Sequence, residues 1–431
     1  MNAGAARIDI TPDHDVWMDG MIRDHQSTGV HDPIFAKALV LANGSELSDA
    51  CALVSLDLCV LATADCRTIR DLTSKRTGIP ADRIILAATH NHSGPATMGL
   101  NNPRADAYMA SLPAMIVSMI EQAVAALAPA AVGCASGRED TISHYRRLLA
   151  DDGHVVMNWE PWPAEKIIRL LGTSDPEVGV LKIVAAGNTA KNIALLFNHA
   201  GHPNVLSGDN YRLTPDYPGL AEKILEKKFG GTALFINGAQ GSVDIDGLKD
   251  RDWAGRDRVG QALADAVART AQNIQPSAHV KLRAASTHYT VPARKISAKE
   301  LAWADEILKQ TGGAVKAVAD GVGDDYKANL YRRLSKVQHQ AIPLEQIGIA
   351  IDNCVFISFP GELFTEIGMQ IKAASPFGHT YIIGLANGYM GYVPTRAAIS
   401  QGGYEPDTRA TDDAAAEQIA AHSLELLRRL A

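Results

Sequence analysis

The sequence predicts an α/β protein built from mixed, mostly buried sheets covered by helices. Short runs of Ile, Val, Leu and Phe, bounded by Gly and Pro, recur along the chain and suit strands covered on both faces. Longer stretches with helical periodicity lie between them. No Pro/Ser-rich linker, internal repeat or low-complexity segment cuts the chain, so residues 1–431 read as a single domain.

In chain order, Ala52–Asp57 and Arg83–Thr89 are continuous apolar runs of strand length, and Ala105–Leu127 carries an apolar stripe at helical spacing. Ile193–Asn198 and Thr232–Asn237 are again strands, with the helix Tyr217–Phe229 between them. Gly255–Ile274 and Ala298–Gln310 read as helices. From Lys309 to Gln340 the chain turns polar and stays helical, so residues 298–340 suggest a lid or an outer helical hairpin. Ile349–Phe359 and Thr380–Ala386 are the last strands. Asp412–Leu430 closes the chain as a helix, with acids at its start and arginines at its end, matching the helix dipole.

Composition excludes several classes. With 431 residues, 46% hydrophobic and 21% charged, the chain can bury a large core. The net charge of −7 and the lack of a Lys/Arg cluster argue against a nucleic-acid partner. No apolar run approaches the roughly 18–20 residues that span a membrane. The opening MNAGAARIDITPD has neither a basic n-region nor an apolar h-region. Cys51, Cys59, Cys66, Cys134 and Cys354 form no CxxC pair and fit buried thiols in a reducing cytoplasm. The expected partner is a small-molecule substrate, and homo-oligomerisation is left open.

The informative pattern is positional. RIILAAT leads into His90-Asn-His92, and IALLFN into His199-Ala-Gly-His202-Pro203. TALFIN leads into Gly238-Ala-Gln-Gly241-Ser-Val-Asp244, CVFISF into Pro360-Gly361-Glu362, and YIIGLA into Asn387-Gly-Tyr389-Met-Gly-Tyr392. In sheets covered by helices, sites form where carboxyl ends of strands open into a crevice. Neighbouring strands would bring these clusters to one place.

Each cluster has a plain reading beside the functional one. His90 and His92, two apart, would share one face of a strand and could touch one metal ion, or be satisfied turn histidines. His202, in a turn stiffened by Pro203, competes with His199 as a ligand. Glu362 falls between a strand and a helix whose first turn it would join; it is either a dipole-stabilised carboxylate or a third ligand. Tyr389 and Tyr392 are core or rim aromatics unless a nearby dication recruits one. Asp244 follows a Gly-rich turn and would cap it or serve the site. Arg146, in SHYRRLLADDG, is a solvated charge or a fork for a carboxylate or carbonyl.

Together ITP near the start, THNHSGP, the His202-Pro203 pair, Asp216-Tyr-Pro-Gly219, GAQGSVD, FPGE and GYMGYVPT resemble the neutral/alkaline non-lysosomal ceramidases, in that family's order. The resemblance implies a zinc amide hydrolase with a ceramidase catalytic-domain-like fold. It maps one Zn2+ per chain onto His90, His202, Glu362 and a tyrosine of the YxxY stretch, placed at Tyr392 with Tyr389 as alternative. It makes His92 and Arg146 groups that contact substrate and oxyanion, and sets Tyr404 of GGYEP on the pocket rim. The sequence departs from the ceramide-cleaving members where they carry a serine: Asp244 stands there, and Ser242 is two residues early. The family's immunoglobulin-like carboxy-terminal domain and an export signal are absent from this sequence.

The expectation is therefore a cytoplasmic zinc-dependent hydrolase that cuts an amide bond of a small polar N-acyl or cyclic amide. Metal-activated water attacks directly, His92 and Arg146 serve substrate and oxyanion, and Asp244 is general base or orienting group. An esterase or lactonase with the same site, a ceramidase proper and a non-catalytic metal-containing binder are the alternatives. A second metal site is left open.

Overall fold

The computed structural model describes residues 1–44, 46–100, 102–245 and 251–431. Along the chain run β1 (Asn2–Asp9), β2 (Phe35–Ala42), β3 (Cys51–Leu56), α1 (Thr63–Thr77), β4 (Ile84–Ala88), α2 (Asp106–Ala125) and β5 (Ala128–Arg138). Short strands follow: β6 (Ser143–Tyr145), β7 (Arg147–Ala150), β8 (Val155–Met157) and β9 (Ile167–Leu170). Then come β10 (Glu177–Ala185), β11 (Asn188–His199), α3 (Asp216–Phe229), β12 (Thr232–Asn237), β13 (Val243–Ile245) and α4 (Trp253–Gln272). The last third holds β14 (Leu282–Pro292), α5 (Ala298–Thr311), α6 (Asp324–Val337), β15 (Ala341–Ile351), β16 (Cys354–Ser358), β17 (Glu362–Leu363) and α7 (Thr365–Ala373). It ends with β18 (His379–Ile383), β19 (Tyr392–Val393), α8 (Arg396–Gln401), α9 (Tyr404–Thr408) and α10 (Ala415–Leu430).

Two sheets form the centre. The larger has 8 strands in the order β12-β11-β10-β5-β1-β2-β3-β4, and the smaller has 4 in the order β14-β15-β16-β18. Strand period two explains the layering. On β2 and β3, Val40, Val54 and Leu56 face Ile69 of α1 and Leu112 and Ile116 of α2, while Leu39, Leu41 and Leu53 face Ile349, Phe356 and Ile383 of the smaller sheet. The other half of the larger sheet packs Phe197 and Phe235 against Leu225 of α3 and Leu263 of α4. Val355 and Ile357 of β16 meet Ile371 of α7 and Leu426 of α10. The result is a helix–sheet–sheet–helix sandwich, a mixed α/β fold as expected. Each large apolar side chain it buries contributes about 1.5–3 kcal/mol.

Several expectations need correction. Ile349–Phe359 is not one strand: Asp352, at φ 49°, turns the chain between β15 and β16. The terminal helix begins at Ala415, and Asp412 stands ahead of it with its carboxylate accepting from the Ala414 amide at 3.1 Å. α2 is long and apolar enough to cross a membrane, contrary to the reading that no run approaches that length; its Leu112, Ile116 and Ile120 are packed in the core. Within residues 298–340, α5 and α6 pack on each other and share a small core around Ala304, Ala328, Tyr331 and Leu334.

Candidate metal centre

The carboxyl ends of β4, β11, β12, β16 and β18 come together at one end of the sandwich. Asn237, the last residue of β12, ties two of these ends. Its Nδ2 donates to the carbonyls of Thr89 (3.0 Å) and Gly201 (2.7 Å), the residues just before His90 and His202. Asn387, at φ 60°, stitches the end of β18 to β4 by accepting from the Leu86 amide (2.9 Å) and donating to the Ile84 carbonyl (3.1 Å). His90 itself sits at φ 71°, a left-handed conformation that costs a non-glycine residue about 1–3 kcal/mol and clusters at functional sites.

His90, His202 and Glu362 each place a ligand atom within 4.8 Å of the others, and all three are buried. His90 Nδ1 donates to the Cys59 carbonyl at 3.0 Å, which leaves Nε2 as the lone-pair nitrogen, the outer-shell arrangement usual for a metal-binding imidazole. That Nε2 lies 3.3 Å from Glu362 Oε2. Glu362 Oε1 accepts from the Tyr389 hydroxyl at 2.8 Å, whereas Oε2 is buried with no hydrogen-bond partner among the described residues. Oε2 has only the His90 imidazole, at 3.3 Å, facing it, and a carboxylate oxygen buried in this way favours a cation beside it. Burial disfavours a charged His90, while the Glu362 carboxylate opposes it and raises the His90 pKa well above its ordinary value, so positive charge is favoured at this point. Burial, and then the charge of His90, push His92 and His202 well below theirs, so both are neutral. Two imidazoles and one carboxylate that draw positive charge to a single point fit a borderline cation such as zinc.

The two histidines of the HNH stretch do not share a strand face. Both follow β4 in a loop, and their rings stand nearly perpendicular, at 84° with centroids 4.7 Å apart. His92 Nε2 comes within 3.3 Å of His90 Nε2. Gly20, at φ +92°, admits this ring: a Cβ there would lie 2.4 Å from His92 Cγ. The buried Arg23 fixes the loop by donating to the His92 carbonyl at 2.9 Å and the Asn210 carbonyl at 3.0 Å.

Glu362 does not join a helix. It opens β17, which pairs in parallel with β19 so that Glu362 and Tyr392 are register partners. Burial pushes the hydroxyls of both tyrosines well above their ordinary pKa. Arg146 is fully desolvated and held from several sides. Its Nε donates to Glu405 Oε1 at 2.7 Å and its Nη2 to the Gly241 carbonyl at 3.1 Å. Trp159, Tyr392 and Tyr404 surround the guanidinium at 5.3, 5.3 and 5.7 Å. Its Nη1 lies 3.4 Å from His202 Nδ1. Glu405 Oε2 takes Arg147 at 2.7 Å, so one buried carboxylate orders two buried arginines.

All these donors open on a cavity of about 1070 Å³. His90, His92, Arg146, His202, Glu362, Tyr389, Tyr392 and Tyr404 line it. Tyr326, Leu330 and Leu334 of α6 form part of its wall, so this helix borders the site. Asp244 is not in the wall: its Oδ2 is bound to Arg251 at 3.0 Å and its Oδ1 accepts from the Ile245 amide. Ser242 is likewise engaged, with its hydroxyl 2.8 Å from Thr365 Oγ1. His199, the competing ligand, faces away and bonds the Glu177 carbonyl (3.0 Å) and Ser143 Oγ (3.1 Å). Sequence reasoning missed Glu405, Asn237 and Cys59. The first stands beside Tyr404 in GGYEP and the second ends the TALFIN run; Cys59 carried no signal beyond its place after a strand.

Fold and site together define a helix–sheet–sheet–helix protein with a deep cavity and a His/His/carboxylate cluster able to hold a metal ion. The family described as neutral/alkaline non-lysosomal ceramidase, N-terminal, matches residues 1–244, more than half of the 431-residue chain, and the chain belongs to that family. No curated protein matches it significantly by sequence. The crystal structure of neutral ceramidase from Pseudomonas aeruginosa superposes with a TM-score of 0.74 at 21% identity, covering 100% of this chain and 75% of that one. A ceramidase complexed with C2 gives 0.75 at 18% identity with the same coverage. At these identities the likeness establishes the fold.

Proposed function

We propose that this protein is a zinc-dependent hydrolase that cuts the C–N bond of an amide, with one ion per chain held by His90, His202, Glu362 and Tyr392. The observation that carries the reading is the convergence of buried His90, His202 and Glu362 ligand atoms within 4.8 Å of one another. Bound zinc would polarise the substrate carbonyl and bring the pKa of water to about 7.

The remaining chemistry belongs to the chain's own groups. Tyr389 holds Glu362 by Oε1 and leaves Oε2 for the ion. Hydrolysis adds hydroxyl to the carbonyl carbon and a proton to the departing nitrogen. His92, neutral and beside the ligands in the cavity wall, is placed to carry that proton or to donate to the developing oxyanion. Arg146 is pre-oriented by Glu405 and its aromatic cage to meet the carbonyl or carboxylate end of the substrate. Asp244 lies outside the cavity wall, paired with Arg251, which also holds the Asn204 carbonyl. With Ser242 engaged by Thr365 and outside the cavity wall, direct attack by water is favoured over an acyl-enzyme.

A second reading, ceramide as the substrate, is favoured by the family and by the cavity. Its volume lies just above the roughly 300–1,000 Å³ usual for ligand pockets, and Met98, Leu330, Leu334 and Leu344 give it an apolar wall. A substrate with an apolar arm beside its amide fits this lining. The free state of all five cysteines supports the proposal of a reducing, cytoplasmic location.

Elemental analysis of the purified protein tests the centre. Wild type should carry about one zinc per chain, and His202→Ala none. Stoichiometric zinc surviving both His90→Ala and His202→Ala would overturn the assignment. Turnover of N-acyl amino acids, cyclic amides, lactones and a long-chain N-acylsphingosine by the loaded enzyme then separates the substrate classes.

A further inference from the structure

Among the described residues, two groups of His, Cys and Glu side chains bring ligand atoms within 4.8 Å of one another, and they share His90. One is the His90/His202/Glu362 set. The other is Cys59, His90 and His92. Cys59 follows β3, lines the same cavity and places Sγ 3.6 Å from His90 Nδ1. Cys51, Cys66, Cys134 and Cys354 do not line it.

Orientation of His90 does not explain the sulfur. The Cys59 backbone carbonyl already takes the His90 Nδ1 proton at 3.0 Å, and any residue at this position would supply that carbonyl. His92, the third member, is buried and brings Nε2 within 3.3 Å of His90 Nε2. A sulfur and two imidazoles form a softer donor set than two imidazoles and a carboxylate. Thiolate ligands select soft cations, whereas carboxylates suit harder ones.

We propose that Cys59, His90 and His92 are a second donor set, through which the centre takes a soft divalent cation such as Cd2+. The cation replaces the thiol proton, which leaves to solvent. Since both sets use His90, the soft cation and zinc compete for one centre, and thiophilic metals exclude zinc. The inference rests on the reading of the centre given above, and its test separates the two.

The experiment uses the full chain carrying Cys134→Ser, which removes the one cysteine that is not fully buried. The protein is stripped with a chelator and titrated with cadmium chloride. Sulfur-to-cadmium charge-transfer absorbance should rise to saturation at one ion per chain. Adding Cys59→Ser should abolish that absorbance and weaken Cd2+ binding by at least roughly tenfold, while zinc binding measured by equilibrium dialysis persists. Cadmium NMR of the protein with Cys59 intact reads sulfur ligation without altering the site, which covers the case in which Cys59→Ser fails to fold. Cadmium bound without sulfur ligation, or with the same absorbance after Cys59→Ser, overturns this proposal and leaves the zinc reading standing. Failure of zinc and cadmium alike to bind the protein with Cys59 intact overturns both.

Discussion

The carboxamide of Asn237 bonds at once to the residue before His90 and to the residue before His202, so one side chain sets the spacing of the two imidazoles. Removing it leaves the buried carbonyls of Thr89 and Gly201 without these donors. Asn237→Ala should cost about 1–3 kcal/mol of stability in denaturant titrations. It should also weaken zinc binding on the order of 10–100-fold, as loss of an outer-shell partner does. A variant with zinc affinity unchanged would show that the strand ends hold their spacing without it. Glu405 works in the same manner on Arg146 and Arg147. Its burial is tolerable because each oxygen meets a guanidinium at 2.7 Å, and removing one partner of such a group is far costlier than its net worth.

At the scale of elements, the first turn of α3 joins the site's surroundings to the core. Asp216 begins this helix at φ 54°, fully buried, with its carboxylate accepting from the Tyr217 amide at 2.6 Å. Burial pushes its pKa up to about 6, against the pull of the Tyr217 and Leu206 amides and of Arg256 and Arg251. The folded protein therefore keeps a proton that the unfolded chain has released. This contribution is fully present below about pH 4 and is lost as pH rises through about 6. Asp216→Asn has no such proton to lose. Between pH 4 and pH 7 its stability relative to wild type should rise by about 1 kcal/mol or more, read as the difference in urea midpoints. A difference that does not change with pH would mean Asp216 titrates alike in both states. The short pair β17–β19 matters equally. Two residues on each side align Glu362 with Tyr392, and neither strand is long enough to show a period in the sequence.

For the whole molecule, the proposed metal centre lies at a junction among strand ends of both sheets, so ion binding there would couple to global stability. An ion that binds only the folded state stabilises it by about 2.7 kcal/mol when present at 100 times its Kd. Chelation should lower the thermal midpoint, re-addition of zinc should restore it, and His202→Ala should be insensitive to both. A wild-type midpoint indifferent to chelator would separate the centre from the fold's stability. What the sequence by itself determined was β3, β4, β12, β16, β18 and the end of β11, which are unbroken apolar runs, and the polar residues that follow them; β2 and β10, also largely buried, were not read as strands. β12 appears in the sequence with its observed limits, and β3 and β4 within one residue at each end. β1, β5 and β14 were not legible: NAGAARID and APAAVGCASGR are built from small residues, and LRAASTHYTVP is half-exposed, so none offers apolar contrast. Only the tertiary structure decided which polar residues meet. It brings Glu405 to Arg146 and Cys59 to His90, turns His199 and Asp244 out of the cavity, and makes α6 a wall of it. The physical reason is that burial periodicity is local along the chain, whereas ligand geometry depends on loop conformations, such as His90 at φ 71°, that are imposed by packing between residues far apart in sequence.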